Sequence, residues 1–338
     1  MQHDVAVLIG RFQPFHNAHA ALLAQALDVA PRVIVLLGSA HAARNAKNPF
    51  NWEERAAMVR CTLDEETRAR VSFLPMRDRW DDARWAAQAL EAVQREAGVT
   101  ARVALVGHIK DASSQYLKRF PSWDFIPVPA QGEIDATSLR RIWFEGEDEA
   151  VNYALLSPLL PPAVLRYLQG WAVLPHFARL REEHLTIEEN KRIWGTGPFV
   201  TVDALVKASG KVLLIRRGRA PGKGLWALPG GFLDGRERVQ QGAIRELREE
   251  TGLALSDAAL EAALAGVIVF DHPDRSLRGR TITHVHFFDL GNLAPPEVAG
   301  GDDAAEAHWV PLEALAAMEG EFFEDHFNIL NHFLAITH

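Results

Sequence analysis

Cysteine is almost absent from this sequence, which contains only Cys61. A lone thiol excludes disulfides within the chain and zinc sites built on cysteines, and it fits a reducing cytoplasm. Because Cys61 lies in the helix-like run AAMVRCTL, we expect it to fill a small space in the core. The sequence also lacks an apolar run of membrane-spanning length and a signal peptide's basic stretch and cleavage-like site. We therefore expect a cytoplasmic protein without a membrane partner.

Positive charge is in deficit, with 36 lysines and arginines against 44 aspartates and glutamates and a formal net charge of -8. General nucleic-acid binding needs a basic face, so we expect no nucleic-acid partner, although a local basic pocket for phosphates stays open. Internal repeats and low-complexity tracts are absent. At 338 residues the chain is long enough for two domains, each with its own core.

Strand-like and helix-like segments alternate through the first half of the chain. The strand candidates are Val5–Ile9, Arg32–Leu37, Val71–Pro75, Arg102–Val106 and Phe125–Val128. The helix candidates are residues 18–30, Glu53–Leu63 and Ala83–Ala97. This alternation predicts an α/β domain with a doubly wound parallel sheet. Ligands of such sheets bind beyond the carboxyl ends of the strands, so we expect chemistry just after Ile9, Leu37 and Val106.

The composition changes after about residue 180. The polar segment 181–198 contains REEHLTIEENKR and GTGP, and we interpret it as a linker, which could itself be helical, between domains at 1–180 and 199–338. Beyond it, Phe199–Val206 and Lys211–Arg217 flank a Ser-Gly turn, which predicts a hairpin. The alternating segment Thr281–Leu290 predicts a further strand.

The segment Gly231–Leu253 (GFLDGRERVQQGAIRELREETGL) places Glu246, Glu249 and Glu250 within one helical turn. Like charges at this spacing repel and destabilise a helix unless a cation lies between them. Oxygen-only ligands suit Mg²⁺, with Mn²⁺ as the alternative. The pattern predicts metal-assisted chemistry on a phosphate-containing substrate, and a solvated acidic helix is the other interpretation.

The surrounding residues complete a longer pattern, G-x5-E-x7-R-E-U-x-E-E-x-G-U, in which U is aliphatic. Its fixed positions are filled by Gly231, Glu237, Arg245, Glu246, Leu247, Glu249, Glu250, Gly252 and Leu253. The chain here resembles the Nudix hydrolases, which implies an α/β/α mixed-sheet domain that cleaves a diphosphate linked to a nucleoside. The resemblance makes Glu249 and Glu250 catalytic and Glu246, Glu249 and Glu250 metal ligands. Arg245 would orient a glutamate, and the base that takes the water's proton stays open.

A second motif, Gly10–His19 (GRFQPFHNAH), directly follows the first strand. Gly10 lets the backbone turn close to a ligand. His16 and His19 fall at i and i+3 near the start of the next helix, whose N-terminus attracts anions. Two imidazoles there would add hydrogen-bond donors for nucleotide phosphates. A zinc site lacks further ligands at suitable spacing, and inconsequential surface histidines are the remaining alternative.

Together with three later segments, this motif resembles the nucleotidyltransferases, especially nicotinamide mononucleotide (NMN) adenylyltransferases of the archaeal type. The later segments are Arg44–Phe50 followed by Glu54-Arg55, Val106–Asp111, and Ile134–Arg140. Two positions depart from the family pattern. Asn45 stands where threonine is usual, and Asp135 stands where serine is usual. A carboxylate cannot donate to a phosphate oxygen at neutral pH, so the contact expected at Asp135 is in doubt.

The resemblance implies a Rossmann-like domain that transfers AMP from ATP to NMN, giving NAD and pyrophosphate, with Mg²⁺ carried by the triphosphate. It makes His16, His19 and Arg140 catalytic. The substrate-binding residues that it implies are Gly10, Arg11, Phe12, Asn48, Gly107, Asp111 and Thr137. Trp85, or Trp80, would stack on the nicotinamide ring, and ordinary helix packing is the alternative for both.

The pattern at Gly231–Leu253, which we call the Nudix box, does not determine which substrate is cleaved. Substrate specificity has to come from residues outside it. Asp274–Arg280 (DRSLRGR) resembles a segment of bacterial ADP-ribose pyrophosphatases, in which Arg278 and Arg280 would hold phosphates; a solvated hairpin loop is the alternative. Glu306 belongs to a stretch common in the family that we interpret as structural, although it could reach the metal. We interpret His326 as a packed helix histidine rather than a site residue.

The resemblance covers nearly the whole chain and implies a bifunctional enzyme of NAD metabolism. One half would make NAD, and the other would hydrolyse ADP-ribose to AMP and ribose 5-phosphate. The implied partners are ATP, NMN, NAD and ADP-ribose, with a homo-oligomer left open. The alternatives are a different nucleoside diphosphate substrate, a different phosphate acceptor, or a Nudix domain that senses a nucleotide in a regulator.

Overall fold

The protein is described from a computed structural model, which covers residues 2–108, 119–129 and 134–337. The chain forms two compact units, and the division falls between Arg181 and Glu182. Over those three ranges, every helix is too short or too polar to cross a membrane.

The first unit is built on a parallel sheet of five strands in the order β3-β2-β1-β4-β5. The strands are β1 (Val5–Gly10), β2 (Val33–Leu37), β3 (Val71–Pro75), β4 (Val103–Gly107) and β5 (Asp124–Pro127). Their apolar sequences fit a sheet that is covered on both faces, and β2 and β4 are buried throughout. The winding direction reverses between β1 and β4, which is where doubly wound sheets bind ligands. The predicted fold class is confirmed.

Seven helices and the start of an eighth belong to the first unit in the part of the chain that the structure describes. They are α1 (Asn17–Val29), α2 (Trp52–Arg60), α3 (Glu65–Ala69), α4 (Asp82–Ala97), α5 (Ala136–Glu145), α6 (Glu149–Leu156), α7 (Pro162–Ala172) and α8 (Pro175–Trp194). The sequence predicted α1, α2 and α4, although α2 ends three residues earlier than expected. Asn51 begins α2 because its side chain accepts from the backbone N–H of Glu54, whose carboxylate accepts from the N–H of Asn51 in return.

The predicted linker, residues 181–198, is helical as far as Trp194 because α8 continues through it. Its charges are paired along the helix surface: Lys191 lies 2.8 Å from Glu188, and Arg192 lies 2.5 Å from Glu189. Ion pairs between residues three positions apart stabilise a polar helix, so the high charge of this segment is compatible with helical structure. The domain bounds expected from the sequence stay a prediction.

The second unit contains a mixed sheet of seven strands. Five of them follow the order β10-β11-β6-β7-β12, while β8 pairs with β7 and β9 with β6. The strands are β6 (Phe199–Ala208), β7 (Lys211–Arg217), β8 (Trp226–Ala227), β9 (Gly230–Phe232), β10 (Leu264–Phe270), β11 (Thr281–Asp289) and β12 (Ala304–Pro311). The hairpin of β6 and β7 is confirmed, and Ser209 and Gly210 turn it with φ of 45° and 72°. β11 runs parallel to β6, which makes the sheet mixed.

Helices pack on this sheet at positions that the sequence left partly unassigned. They are α9 (Val239–Thr251), α10 (Asp257–Ala263), a 3₁₀ helix (Leu312–Glu321) and α11 (His326–Leu334). The box helix α9 buries Ala243 and Leu247 completely among the apolar side chains of β6 and β7. It ends at Gly252, whose left-handed φ of 61° closes the helix.

Cys61 corrects one expectation from the sequence. It is exposed and does not fill the core. Because α2 ends at Arg60, Cys61 follows the last turn of the helix, where its thiol donates to the carbonyl of Met58 at 3.0 Å. Partial burial raises the pKa of this thiol.

Candidate active sites

The loop after β1 is shaped by Gly10 and Phe12. A Cβ on Gly10 would lie 2.9 Å from the ring of Phe12, so a larger residue there would displace this ring. Phe12 adopts a left-handed φ of 51° and is 4% exposed, with its ring edge-on to His19 at 4.7 Å. The ring of Phe12 thus packs inside the protein, and the assignment of Phe12 to substrate binding stays a prediction.

His16 and His19 come together in the first turn of α1. Their rings stack with centroids 3.6 Å apart, and the backbone N–H of His16 donates to Nδ1 of His19 at 3.4 Å. His16 is the residue before the first helical turn, so both imidazoles lie where the helix dipole favours negative charge. This is the arrangement that the spacing of the motif predicted.

Arg140 and Arg11 supply positive charge at the same loop but differ in exposure. Arg140 is 8% exposed, and its Nη1 donates to the carbonyl of Gln13 at 2.7 Å while Nη2 lies 3.3 Å from Oγ1 of Thr137. Burial, reinforced by the charge of Arg11, lowers the pKa of Arg140 to about 10. Arg11 is exposed, as is Thr137. Arg11 is therefore the guanidinium presented to solvent at the switch point.

Asp135, which departs from the family pattern, has a structural role. It begins α5, and Oδ1 accepts the backbone N–H groups of Thr137 and Ser138 at 2.8 and 3.0 Å. Its Oδ2 accepts from the hydroxyl of Ser138 at 2.6 Å. Asp135 thus satisfies the helix N-terminus that serine would otherwise cap.

Arg55 is a buried residue whose importance only the structure shows. It is 0% exposed and donates to the carbonyls of Arg11 at 2.8 Å and Gly38 at 2.6 Å. Burial lowers its pKa to about 10. Arg55 fixes the loops after β1 and β2 to one another, and the only sequence signal for it was the Glu-Arg pair of the family resemblance.

The segment Arg44–Phe50, which contains Asn48, is held in shape by hydrogen bonds to the side chain of Asn45. The side-chain oxygen of Asn45 accepts the backbone N–H groups of Lys47 and Asn48 at 3.0 and 2.8 Å, a turn that threonine forms more weakly. Arg44 pairs with Glu54 through both terminal nitrogens. The buried Oδ1 of Asn48 finds no hydrogen-bond donor among the residues described, and its role in substrate binding stays a prediction.

The structure says less about three other residues that the resemblance assigned to this site. Gly107 ends β4, and its carbonyl accepts from the backbone of Val128 at 2.8 Å. Trp85 is half-buried with its ring edge-on to Phe120 at 6.4 Å, which is a packing contact, so its stacking on nicotinamide stays a prediction. Asp111 lies outside the described residues.

Arg245 is the cation among the glutamates of the second unit. It donates to Glu237 at 2.7 Å, to Glu246 at 2.8 Å and to Glu249 at 3.0 Å. Hydrogen bonding to Glu237, with further bonds to the other two glutamates, raises the pKa of Arg245 above its usual value. The orienting role expected for Arg245 is visible here, and it relieves the repulsion that the spacing of the carboxylates predicted.

Glu250 lies apart from this ion-pair network. It is 3% exposed, and its Oε2 accepts the backbone N–H of Gly230 at 2.8 Å. Burial, aided by the charge of Glu246 and opposed by this hydrogen bond, raises the pKa of Glu250 to about 8. Burial also raises the pKa of Glu246. A carboxyl group kept from ionising in this way is one whose charged form a bound cation would stabilise.

The donor set suits a hard divalent cation, since Glu246, Glu249 and Glu250 offer carboxylate oxygens on one helix face. In the ranges that the structure covers, no three His, Cys, Asp or Glu side chains are already arranged around a metal position. Nη1 of Arg245 bridges Glu246 and Glu249, while Glu250 is bonded to the backbone of Gly230. Close packing brings the helix near the strand: a Cβ on Gly231 would lie 2.5 Å from Oε1 of Glu246.

A buried polar cluster next to the box was missed by the sequence analysis. Asp203 on β6 is 6% exposed, accepts from the hydroxyl of Thr283 and has a pKa raised by burial. Arg275 and Asp325 form an ion pair with both side chains 3% exposed and distances of 2.8 and 3.0 Å. A charged residue inside the apolar run VTVDALV was the available signal for Asp203.

The remaining assigned residues of this unit are all paired within the protein. Arg278 lies 3.2 Å from Glu324, and Arg280 donates to the carbonyl of Asp271. Glu306 is exposed and lies 3.1 Å from His308, in keeping with a structural role. His326 is buried, and its Nδ1 accepts from the backbone N–H of Leu228 at 3.0 Å. Burial holds the pKa of His326 well below its usual value, as suits a packed, neutral histidine.

Comparison with known proteins divides the chain in the same way. Residues 7–118 match the cytidylyltransferase-like family, and residues 197–333 match the NUDIX domain. The chain is 34% identical over 182 residues to the nicotinamide/nicotinic acid mononucleotide adenylyltransferase of Acinetobacter baylyi, covering 54% of this chain and 93% of that protein. It is 39% identical over 118 residues to the ADP-ribose pyrophosphatase of Methanocaldococcus jannaschii, covering 35% of this chain and 64% of that protein.

Both units are matched together in solved structures of a bifunctional protein. The crystal structure of a bifunctional NMN adenylyltransferase/ADP-ribose pyrophosphatase from Francisella tularensis superposes with a TM-score of 0.89 and 34% sequence identity, covering 99% of each chain. A second structure of that protein is a complex with AMP and a manganese ion.

Proposed function

This chain belongs to the family of bifunctional NMN adenylyltransferase/ADP-ribose pyrophosphatases, and we propose that each of its units carries one of the two activities. The first unit transfers AMP from ATP to NMN and releases pyrophosphate. The second hydrolyses ADP-ribose to AMP and ribose 5-phosphate. The observation that supports both assignments is the likeness over 99% of the chain to one bifunctional protein, in which neither unit is left unmatched.

The transferase step is an in-line displacement at the α-phosphorus of ATP. An oxygen of the NMN 5′-phosphate forms the new P–O bond, the bond to the bridging oxygen breaks, and pyrophosphate leaves with its electron pair. His16 and His19 donate to the phosphate oxygens at the N-terminus of α1, and the exposed Arg11 neutralises the developing charge. The chain forms no covalent intermediate.

Arg140 acts in this step mainly by holding the loop in place. One of its terminal nitrogens is committed to the carbonyl of Gln13, and the other lies near Thr137. The remaining N–H groups of Arg140 are left for a phosphate. Asn48 is assigned to substrate binding by the family motif, and its amide oxygen has no hydrogen-bond partner among the described residues.

For the hydrolase step, Glu246, Glu249 and Glu250 would hold a divalent cation, Mg²⁺ with Mn²⁺ as the alternative. When bound, such a cation polarises the diphosphate and lowers the pKa of an attacking water. Arg245 keeps Glu246 and Glu249 on one face of α9, and the backbone of Gly230 fixes the rotamer of Glu250. The cytoplasmic location and the homo-oligomer considered from the sequence stay predictions.

The test offers the purified protein NMN with ATP, and separately ADP-ribose, each with Mg²⁺, and identifies the products by chromatography. We expect NAD and pyrophosphate from the first mixture, and AMP and ribose 5-phosphate from the second. A first mixture without NAD overturns the transferase assignment. An intact ADP-ribose pool in the second, with Mn²⁺ as well as Mg²⁺, overturns the hydrolase assignment.

A further inference from the structure

An exposed aromatic ring stands at the edge of the acidic site. Phe232 ends β9 and is 51% exposed, although large apolar side chains are usually buried. Its carbonyl accepts from Nη2 of Arg245 at 3.3 Å. Two residues earlier, Gly230 holds Glu250 through its backbone N–H. The strand that fixes the glutamates therefore also presents the ring of Phe232 to solvent.

A guanidinium group lies against this ring. Cζ of Arg278 is 5.5 Å from the ring centroid of Phe232 and 5.5 Å from that of Phe323, within the range of a cation–π contact. Phe199 supports the Phe232 ring from another side, edge-on at 5.8 Å. The ring is thus held in one orientation, with one part buried against protein and the rest open.

The charge of Arg278 is already balanced without a ligand. Its Nη2 lies 3.2 Å from Glu324, and its Nε lies 3.3 Å from the hydroxyl of Ser276. Ser276 in turn donates to Glu324 at 2.6 Å. A guanidinium group that is fixed and neutralised in this way is better suited to provide a flat stacking surface than to bind a free phosphate.

The spacing matches the parts of a nucleotide. Consecutive residues of a strand are about 3.3 Å apart, so the Cα atom of Phe232, which carries the ring, lies about 7 Å along the strand from the Cα atom of Gly230, the residue that holds Glu250. One ribose separates a base from its 5′-phosphate by a comparable length. A diphosphate at the glutamates would therefore place its nucleoside base near the ring.

We propose that Phe232, supported by Arg278, is the surface on which the planar base of the nucleoside diphosphate substrate stacks. The inference rests on the proposed hydrolase function and adds the residue that recognises the nucleoside end of its substrate. Stacking of a base on an aromatic side chain contributes on the order of 1–3 kcal/mol, and it tolerates any base because every base has a π face.

The test compares Phe232→Leu, which keeps apolar bulk without a π face, with Phe232→Trp, which enlarges the π face. For Phe232→Leu we expect the KM for ADP-ribose and the inhibition constant of AMP to rise on the order of tenfold. The kcat and the inhibition constant of ribose 5-phosphate should stay unchanged, because neither depends on the base. Phe232→Trp should bind AMP at least as tightly as the wild type, and this holds as a test even if Phe232→Leu fails to fold.

Leu293→Ala is the matched control, since Leu293 is 46% exposed in the same unit and lies beyond β11. It should leave every constant unchanged. The proposal is overturned if Phe232→Leu binds AMP like the wild type, if it weakens AMP and ribose 5-phosphate equally, or if Phe232→Trp loses AMP affinity. A wild-type protein that does not cleave ADP-ribose instead overturns the proposed function, so the two failures are distinguishable.

Discussion

The Oε2 atom of Glu250 lies 2.8 Å from the backbone nitrogen of Gly230, and this hydrogen bond fixes a carboxyl group whose pKa burial raises to about 8. The group is therefore largely neutral at pH 6 and charged at pH 9. A metal ligand has to be charged, so metal binding and protonation compete at this residue.

Hydrolysis of ADP-ribose should accordingly rise with pH through the pKa of Glu250, about 8 at low metal concentration. Raising the Mg²⁺ concentration should move the midpoint of the pH–rate curve to lower pH, because the cation favours the ionised form. Initial rates measured from pH 6 to pH 9.5 at two Mg²⁺ concentrations check this. A midpoint that does not respond to Mg²⁺ would exclude Glu250 as the titrating ligand.

The same pKa predicts an effect on stability in the absence of metal. The folded pKa of Glu250 lies above its unfolded value, so folding favours the protonated form, and this contribution is lost as the pH rises from about 4.5 to about 8. Glu250→Gln should therefore raise the melting temperature of the metal-free protein at pH 8.5 while changing it less at pH 5. Thermal unfolding in EDTA at both values measures the difference, and an equal shift at both would contradict the linkage.

Variants of one site should leave the other active. Glu250→Gln should lower ADP-ribose hydrolysis on the order of 100-fold or more by removing a metal ligand, and spare NAD synthesis. His16→Ala should do the reverse, because it removes a donor to the phosphates. Both activities are measured on each variant, and joint loss in either would show that the two units do not act independently.

Arg245 should contribute to the stability of the fold, because it lies between carboxylates that would otherwise repel one another. Arg245→Ala should lower the free energy of unfolding by about 1–3 kcal/mol, and saturating Mg²⁺ should restore part of the loss because a cation returns to the same face. Arg192→Ala, which removes an exposed pair with Glu189, is the control and should not respond to Mg²⁺. Arg245→Ala with wild-type stability would refute this role.

Asp135 can be tested by restoring the residue that the family usually has. Asp135→Ser keeps a side chain that caps α5 and adds a hydroxyl donor, so NAD synthesis should show an equal or lower KM for ATP. Asp135→Ala should lose about 1 kcal/mol of stability with the cap. A higher KM for ATP in Asp135→Ser would mean that the carboxylate itself takes part in binding.

The sequence predicted what depends on local spacing. The hairpin at Ser209-Gly210 and the acidic turn of α9 follow from residues within a few positions of one another, and the parallel sheet follows from the order of strand-like and helix-like segments. Arg275 and Asp325 are separated by 50 positions and meet only because the fold brings them together. The burial of Arg55 could not be predicted, because arginine is usually exposed unless its donors are satisfied. The groups that satisfy Arg55 are backbone carbonyls, which every residue type has and which the sequence therefore does not reveal.

Cys61 offers an experimental handle. As the sole thiol of the chain, and an exposed one, it can take one maleimide fluorophore per molecule without any prior mutagenesis. Its raised pKa slows that reaction at neutral pH, so a mildly alkaline buffer is the condition of choice. The dye would lie at the end of α2, the helix whose Arg55 fixes the loops of the transferase site, and would therefore label the first unit.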